Sequence, residues 1–363
     1  MDNRDNEQQI AVVYHPGDTL SEKIREMHMS IKEFAVRTSK PEKTIIAVIS
    51  GTSSITVDMS VAFENVTKIP ARFWMNKQRM YDEYLVRKKR EEEAAQSVEW
   101  MRCFPIAEMV KLRWIETCKT ASEKVCGLYR FFGISTEKAW QDYYMGQKLK
   151  MAFRISLTGT RNPYAISAWL RQCELKAMEM DVETTYTEKG LKAAIGTMKQ
   201  IMTEQPDDFY AKLQACCASV GIKLVNAQCL PKAPIHGATR WLNDTPVIQL
   251  SNRYKRYDIF WFTFFHEIGH ILLQGKKDVF IEGEIGSEMD VAKETEANEF
   301  AAEILLPKKE ENEIVSSGRF DTQTIRRYAS KFGTHPSIIA GRLQHLKLID
   351  YWQDQSLICK VEI

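Results

Sequence analysis

Apolar residues recur at helical spacing through the first part of the chain, and turn-forming residues punctuate them. In "GDTLSEKIREMHM", Leu20, Ile24 and Met27 fall on one helical face. "SIKEFAVRT" sets Ser30 three residues before Glu33, a capping-box pattern in which each side chain satisfies the other's backbone N–H, so a second helix is predicted to end near Thr38. "SKPEKTIIAVISG" follows, with Pro41 suited to a first helical turn and Gly51 to a left-handed stop. "ITVDMSVAFENVTKI" can start at Thr56 and places Met59, Phe63 and Val66 on one face. The pattern predicts four short helices with tight connections.

Residues 87 to 93, "RKKREEE", change sign within one polar run, as a solvated helix or linker does, and the boundary of the first domain is placed here. From 95 to about 203 the text reads as amphipathic helices such as "AWLRQCELKAMEM" and "LKAAIGTMKQIM". The tryptophans of this region, Trp100, Trp114, Trp140 and Trp169, are expected in a core rather than as stacking platforms. After Pro206 the period changes. A helix in "DFYAKLQACCASV" precedes two short, partly β-branched stretches, "GIKLVNAQCL" and "TPVIQLS", which read as strands. The predicted class is therefore α+β and mostly helical, with an all-α N-terminal part and a small sheet in the C-terminal part.

The first part has the order of a helix-turn-helix: a helix ending at Thr38, a turn, and a helix from about Pro41 to Ser50 that would enter the major groove. On "HPGDTL", "SIKEFAVRT", "KTIIAVISG" and "IPARFWMNKQRMYDEY", it resembles the Xre-type DNA-binding domain of HigA-like antitoxins. Ser39 stands where such turns usually hold glycine, and Lys40 where an apolar residue is usual. In this reading Glu42, Lys43 and Thr44 begin the recognition helix, while Arg37 and Lys40 meet phosphates of operator DNA. The other reading is that the four helices only dimerise or hold a protein partner. A homodimer is expected because such domains commonly read two half-sites.

Charge qualifies this picture. With 50 Lys+Arg against 48 Asp+Glu, affinity for nucleic acid must come from a local surface. The eight cysteines form no C-x-x-C pair and read as reduced thiols of a cytosolic protein. The polar, acidic start of the chain lacks the pattern of a signal peptide and reads as a flexible tail. The most apolar run, Ile259 to Phe265, is far short of the roughly 20 residues that cross a bilayer, so no membrane partner is expected.

That apolar run leads into "FTFFHEIGHILLQG", which carries the candidate chemistry. His266 and His270 are four apart, so on a helix their rings lie one turn from each other and can converge on one ion. With Glu267 this is the H-E-x-x-H arrangement of zinc peptidases, in which the imidazoles hold one Zn2+ and the glutamate takes a proton from the metal's water. A third protein ligand is required. In "AKETEANEFAAEILLP" Glu294 shares a face with Ala297, Ala301 and Ile304, whereas Glu296 lines up with Glu299 and Glu303 on an acidic face, so Glu294 is the expected ligand. Asn298, four residues on, could hydrogen-bond a ligand histidine from behind. The competing reading is a buried helix whose histidines bond to backbone carbonyls. Two imidazoles and a carboxylate in so apolar a segment would be costly to bury without a metal or proton to satisfy them.

"HGATRWL", "PVIQLSNRYKRYDIFWFTFFHEIGHILLQGKK" and "EANEFAAEILLP" resemble the ImmA/IrrE family of metallopeptidases, and "ASKFGTHPSIIAGRLQHLKLI" is similar to the helical C-terminal part of the same group. The resemblance implies a gluzincin that cleaves a repressor or similar regulator, with His266, Glu267, His270 and Glu294 at the matching positions. The expected organisation is a tail over 1–14, a helix-turn-helix domain over 15–86, a helical middle region over 87–203, a zincin-like metallopeptidase domain over 204–310 and a helical C-terminal subdomain over 311–363. The expected function is a DNA-binding regulator or antitoxin with a zinc-dependent endopeptidase domain acting on a protein substrate. The alternative is a non-proteolytic antitoxin or repressor that neutralises a cognate toxin by binding it and keeps the metal domain for folding or sensing.

Overall fold

The computed structural model describes residues 13–148, 162–233, 235–253, 255–275, 280–281, 288–351 and 355–361. Apart from Val13 and Tyr14, the expected tail lies outside them. The chain divides into two compact units, one up to Gln96 and one from Ser97 onward.

The first unit is all helical: α1 (Pro16–Glu26), α2 (Ile31–Arg37), α3 (Glu42–Ile49), α4 (Val57–Thr67) and α5 (Ala71–Gln96). Its core gathers Leu20, Phe34, Ile45, Val48, Phe63 and Trp74, all fully buried. The rings of Phe34, Phe63 and Trp74 meet in series, with centroids 5.4 and 5.9 Å apart. Helix α2, the turn and α3 form the helix-turn-helix. Ser39 occupies the left-handed region with φ +54°, the conformation for which glycine is the usual choice in this turn. Gly51 is left-handed as expected.

Two local expectations shift. Pro41 is the residue before α3 rather than its first helical residue. Ser30 caps α2 by accepting from Glu33 N at 3.1 Å, but the Glu33 carboxylate turns to Arg37 at 2.6 Å instead of returning to the cap. A full charge one helical turn away outcompetes a backbone N–H for that carboxylate. Helix α5 runs unbroken through 87–93, with those residues exposed to solvent.

The second unit begins with α6 (Val98–Arg102), α7 (Ile106–Lys111), α8 (Ala121–Phe132), α9 (Glu137–Trp140) and a π-helical stretch, Gln141–Lys148. It continues with α10 (Pro163–Met178), α11 (Glu188–Glu204) and α12 (Phe209–Ser219). Trp100, Trp140 and Trp169 are buried as expected, while Trp114 is half-buried and stacks on Phe131. Then come β1 (Lys223–Ala227), β2 (Gly237–Leu242), β3 (Thr245–Ser251), α13 (Tyr257–Gln274), β4 (Phe280–Ile281) and α14 (Glu288–Leu305). The chain closes with α15 (Lys308–Ser317), α16 (Thr322–Phe332) and α17 (Pro336–His345).

The sheet has the order β1-β3-β2-β4, with β1 parallel to β3 and the other pairs antiparallel. Leu224, Ile248 and Leu250 turn one face toward the aromatic rings of α13. On strands β1 and β2, α10 covers the other face: Trp169 Nε1 donates to Ala227 O at 3.2 Å, and Arg240 Nη2 to Glu174 Oε1 at 3.0 Å. Sequence periodicity located β1 and β3 but not β2. Strand β2 buries Arg240 against Glu174 on one face and Thr239 against α13 on the other, so its hydrophobicity does not alternate.

The end of the chain packs on the start of α13. Tyr257 and His335 rings lie 4.6 Å apart, and Arg256 Nη2 donates to Gln344 Oε1 at 2.7 Å. His335 is the cap of α17, where its Nδ1 accepts from Ser337 N.

Candidate metal centre

Helix α13 is apolar nearly all round, as a helix running through a core should be, and it stops at Gly275, whose φ is +72°. Its register puts His266 and His270 one turn apart, fully buried, with Nε2 atoms 2.9 Å from each other. Helix α14 supplies the third group. Glu294 Oε2 lies 3.4 Å from His266 Nε2, and Oε1 lies 3.4 Å from His270 Nε2. One donor atom from each of the three residues falls within 4.8 Å of the others.

Small residues permit this approach. Ala297 and Ala301 of α14 are fully buried, and Gly269 faces them so closely that a Cβ there would lie 3.2 Å from Ala297 Cα. Glu296, Glu299 and Glu303 are exposed, as the helical-face argument requires.

The outer nitrogens of both rings are fixed. His266 Nδ1 lies 3.0 Å from Asn298 Oδ1, and His270 Nδ1 lies 2.6 Å from Gln274 Oε1. The Gln274 amide is oriented by its own nitrogen, which donates to Lys293 O at 2.6 Å. Each ring then carries its proton on Nδ1 and turns an Nε2 lone pair inward. Two lone pairs and a carboxylate converging on one buried point repel one another unless a cation lies between them. The donor set, two imidazole nitrogens and a carboxylate, suits zinc.

Glu267, next in sequence to His266, is fully buried. Its Oε2 accepts from Thr239 Oγ1 at 2.6 Å, and its Oε1 lies against Gly237, where a Cβ would be only 2.5 Å away. Sequence reasoning missed Gln274, Thr239 and Gly237. Gln274 could have been found as the residue one turn beyond His270 on the same face; Thr239 and Gly237 depend on a strand that the pattern does not reveal.

The residues expected to touch DNA are spread across α2, the turn and α3. Glu42 and Lys43 are exposed at the start of α3, and Thr44 is half-buried. Arg37 is paired with Glu33, and Lys40 with Asp58. His236 lines a small crevice with Ser251, Phe260 and Thr263. None of the eight cysteines is in a disulfide, and among the described residues no helix is long and apolar enough to cross a membrane.

An α+β unit whose buried core helix bears two histidines, a glutamate between them and a carboxylate from the next helix is a metallopeptidase-like domain. Residues 217–344 match the family described as the IrrE N-terminal-like domain (Peptidase_M78). Similar solved structures include one described as an antidote protein of a plasmid maintenance system from Nostoc punctiforme, at 28% identity over 23% of this chain and 91% of that chain, with a TM-score of 0.23. Another is an addiction module antidote protein of a HigA family from Coxiella burnetii, at 27% identity over 23% of this chain and 92% of that chain, with a TM-score of 0.22. No curated protein matches the chain.

Proposed function

We propose that this chain is a cytosolic zinc-dependent endopeptidase that cleaves a regulatory protein, joined to a unit that binds operator DNA. The observation carrying this reading is the meeting of His266, His270 and Glu294 around one buried point, with Glu267 next in sequence to His266 and fully buried. His266 and His270 would hold zinc through Nε2 and Glu294 through its carboxylate, one ion per chain. Zinc bound there supplies Lewis acidity, polarising a carbonyl and bringing the pKa of a water to about 7. Glu267 would accept a proton from the attacking water and return it to the leaving amine. Asn298 and Gln274 keep the imidazoles in the tautomer that points Nε2 inward.

In the first unit Glu42, Lys43 and Thr44 would face base edges, with two copies reading two half-sites. Eight cysteines with no disulfide among them fit a reducing compartment. The test of the peptidase is Glu267→Gln in the zinc-loaded chain, incubated with the product of the neighbouring gene. Cleavage should vanish while zinc stays bound; cleavage that survives the substitution ends the peptidase reading.

A second reading draws on burial. Glu267, His266 and His270 have almost no exposed surface, as in a structural metal site. The chain would then neutralise a cognate toxin by contact, with the metal serving the fold. Tight binding of the neighbouring product with no proteolysis in the presence of zinc would favour it.

A further inference from the structure

Strand β2 places Gly237 and Thr239 two residues apart, hence on the same face, and that face lies over Glu267. Both residues are fixed in register, Gly237 opposite Leu250 and Thr239 opposite Ile248 of β3, while β4 pairs Phe280 with Thr239 from the other side. Thr239 is fully buried, and its one hydroxyl proton has two acceptors on the same residue: Glu267 Oε2 at 2.6 Å and Glu267 O at 3.2 Å. The shorter contact to the charged oxygen takes it. Gly237 acts by lacking a side chain, because a Cβ would stand 2.5 Å from Glu267 Oε1 and 2.6 Å from Thr263 Cγ2.

We propose that Gly237 and Thr239 form a cradle that holds the Glu267 carboxylate in the single orientation its proton transfer requires. Thr239 is a positioning residue: its hydroxyl donates to one carboxylate oxygen and stops rotation about the terminal bond of Glu267. Gly237 leaves the volume that the second oxygen occupies. A carboxylate on a helix one residue past a ligand histidine has several rotamers open to it, and strand β2 selects one. The inference rests on the peptidase reading, in which Glu267 moves the proton.

The test uses the full chain loaded with cobalt(II) and titrated with acetohydroxamic acid, a metal-binding probe that also gives up a proton on binding. The visible spectrum reports occupancy of the metal site, and zinc affinity and melting temperature are measured beside it. Thr239→Val, nearly isosteric, is expected to weaken hydroxamate binding about tenfold with metal affinity unchanged, the scale of one lost hydrogen bond to a charged group. Thr239→Ser should restore it. Glu267→Gln should weaken binding at least as much, and combining it with Thr239→Val should add nothing, because the hydroxyl acts through that carboxylate. If Val unfolds the strand, Thr239→Ala compared with Thr239→Ser makes the same comparison. Wild-type binding in Thr239→Val, or losses from Thr239→Val and Glu267→Gln that simply add, overturns the cradle. Wild-type binding in Glu267→Gln instead overturns the role of that glutamate and with it the peptidase reading.

Discussion

Gln274 is tied to His270 by a 2.6 Å contact between its Oε1 and the ring's Nδ1, while its amide nitrogen holds the Lys293 carbonyl on the neighbouring helix. One side chain thus orients an imidazole and braces α13 against α14 next to Glu294. Gln274→Leu removes both functions with little change in volume. Zinc affinity is expected to fall 10- to 100-fold, as for other partners behind ligand histidines. Competition with a chromophoric chelator measures it. An unchanged affinity would mean that His270 needs no support from behind.

Gly269→Ala sets two effects against each other. Alanine gains about 1 kcal/mol of helix propensity over glycine, whereas forcing a methyl into a packed contact costs about 1–3 kcal/mol. The new Cβ would meet Ala297 Cα and Phe300 Cδ1, each at 3.2 Å, and backbone cannot step aside as a flexible side chain can. We expect a net loss of about 1 kcal/mol, together with weaker zinc binding as α14 carries Glu294 outward. Denaturant unfolding with parallel metal titration tests it, and a variant more stable than wild type would contradict the packing argument.

Burial, with a smaller contribution from Arg326, lowers the pKa of His335 to about 4 from the ordinary 6.5. Between those values the unfolded chain binds a proton that the folded chain refuses, so stability is complete above about pH 6.5 and is lost as pH falls toward 4. His335→Asn keeps a side chain able to cap α17 but does not titrate. Its denaturation midpoint should change less between pH 7.5 and 5 than that of wild type. Equal slopes in the two proteins would remove His335 from the acid response.

In the helix-turn-helix, the positions of the cations separate their roles. Arg37 and Lys40 already answer Glu33 and Asp58, whereas Lys43 is exposed at the start of α3. If the unit binds DNA, the pairing of Arg37 and Lys40 shifts the phosphate contact expected of them to exposed Lys43 at the edge of the base-facing turn: Lys43→Ala should reduce the slope of log affinity against log salt by about 1, while Arg37→Ala changes it less. Fluorescence anisotropy on the chain's own upstream DNA, repeated at several salt concentrations, decides. A slope insensitive to Lys43 would move the interface elsewhere or remove it.

Much of this site was legible in one dimension. The spacing of His266 and His270, the choice of Glu294 over Glu296, and Asn298 behind His266 all follow from helical periodicity, and the structure brings these residues together. Other partners depended on residues far apart in sequence. Thr239 reaches Glu267 from 28 positions away, and Arg240 reaches Glu174 from 66. Strand β2 carries one polar residue on each face, Thr239 and Arg240, so neither pairing leaves a period to detect.

The sequence by itself determined the first four helices of the first unit, the core character of α13 and the face of α14 that carries Glu294, because caps, turns and amphipathic spacing act within a few residues. The tertiary structure decided which oxygen holds Glu267, which amide orients His270, and that Arg37 and Lys40 are already paired. Those outcomes depend on strand register, on how closely Gly269 lets two helices approach, and on competition between nearby charges. Local pattern encodes which side of an element is buried, but not which atom waits on the other side.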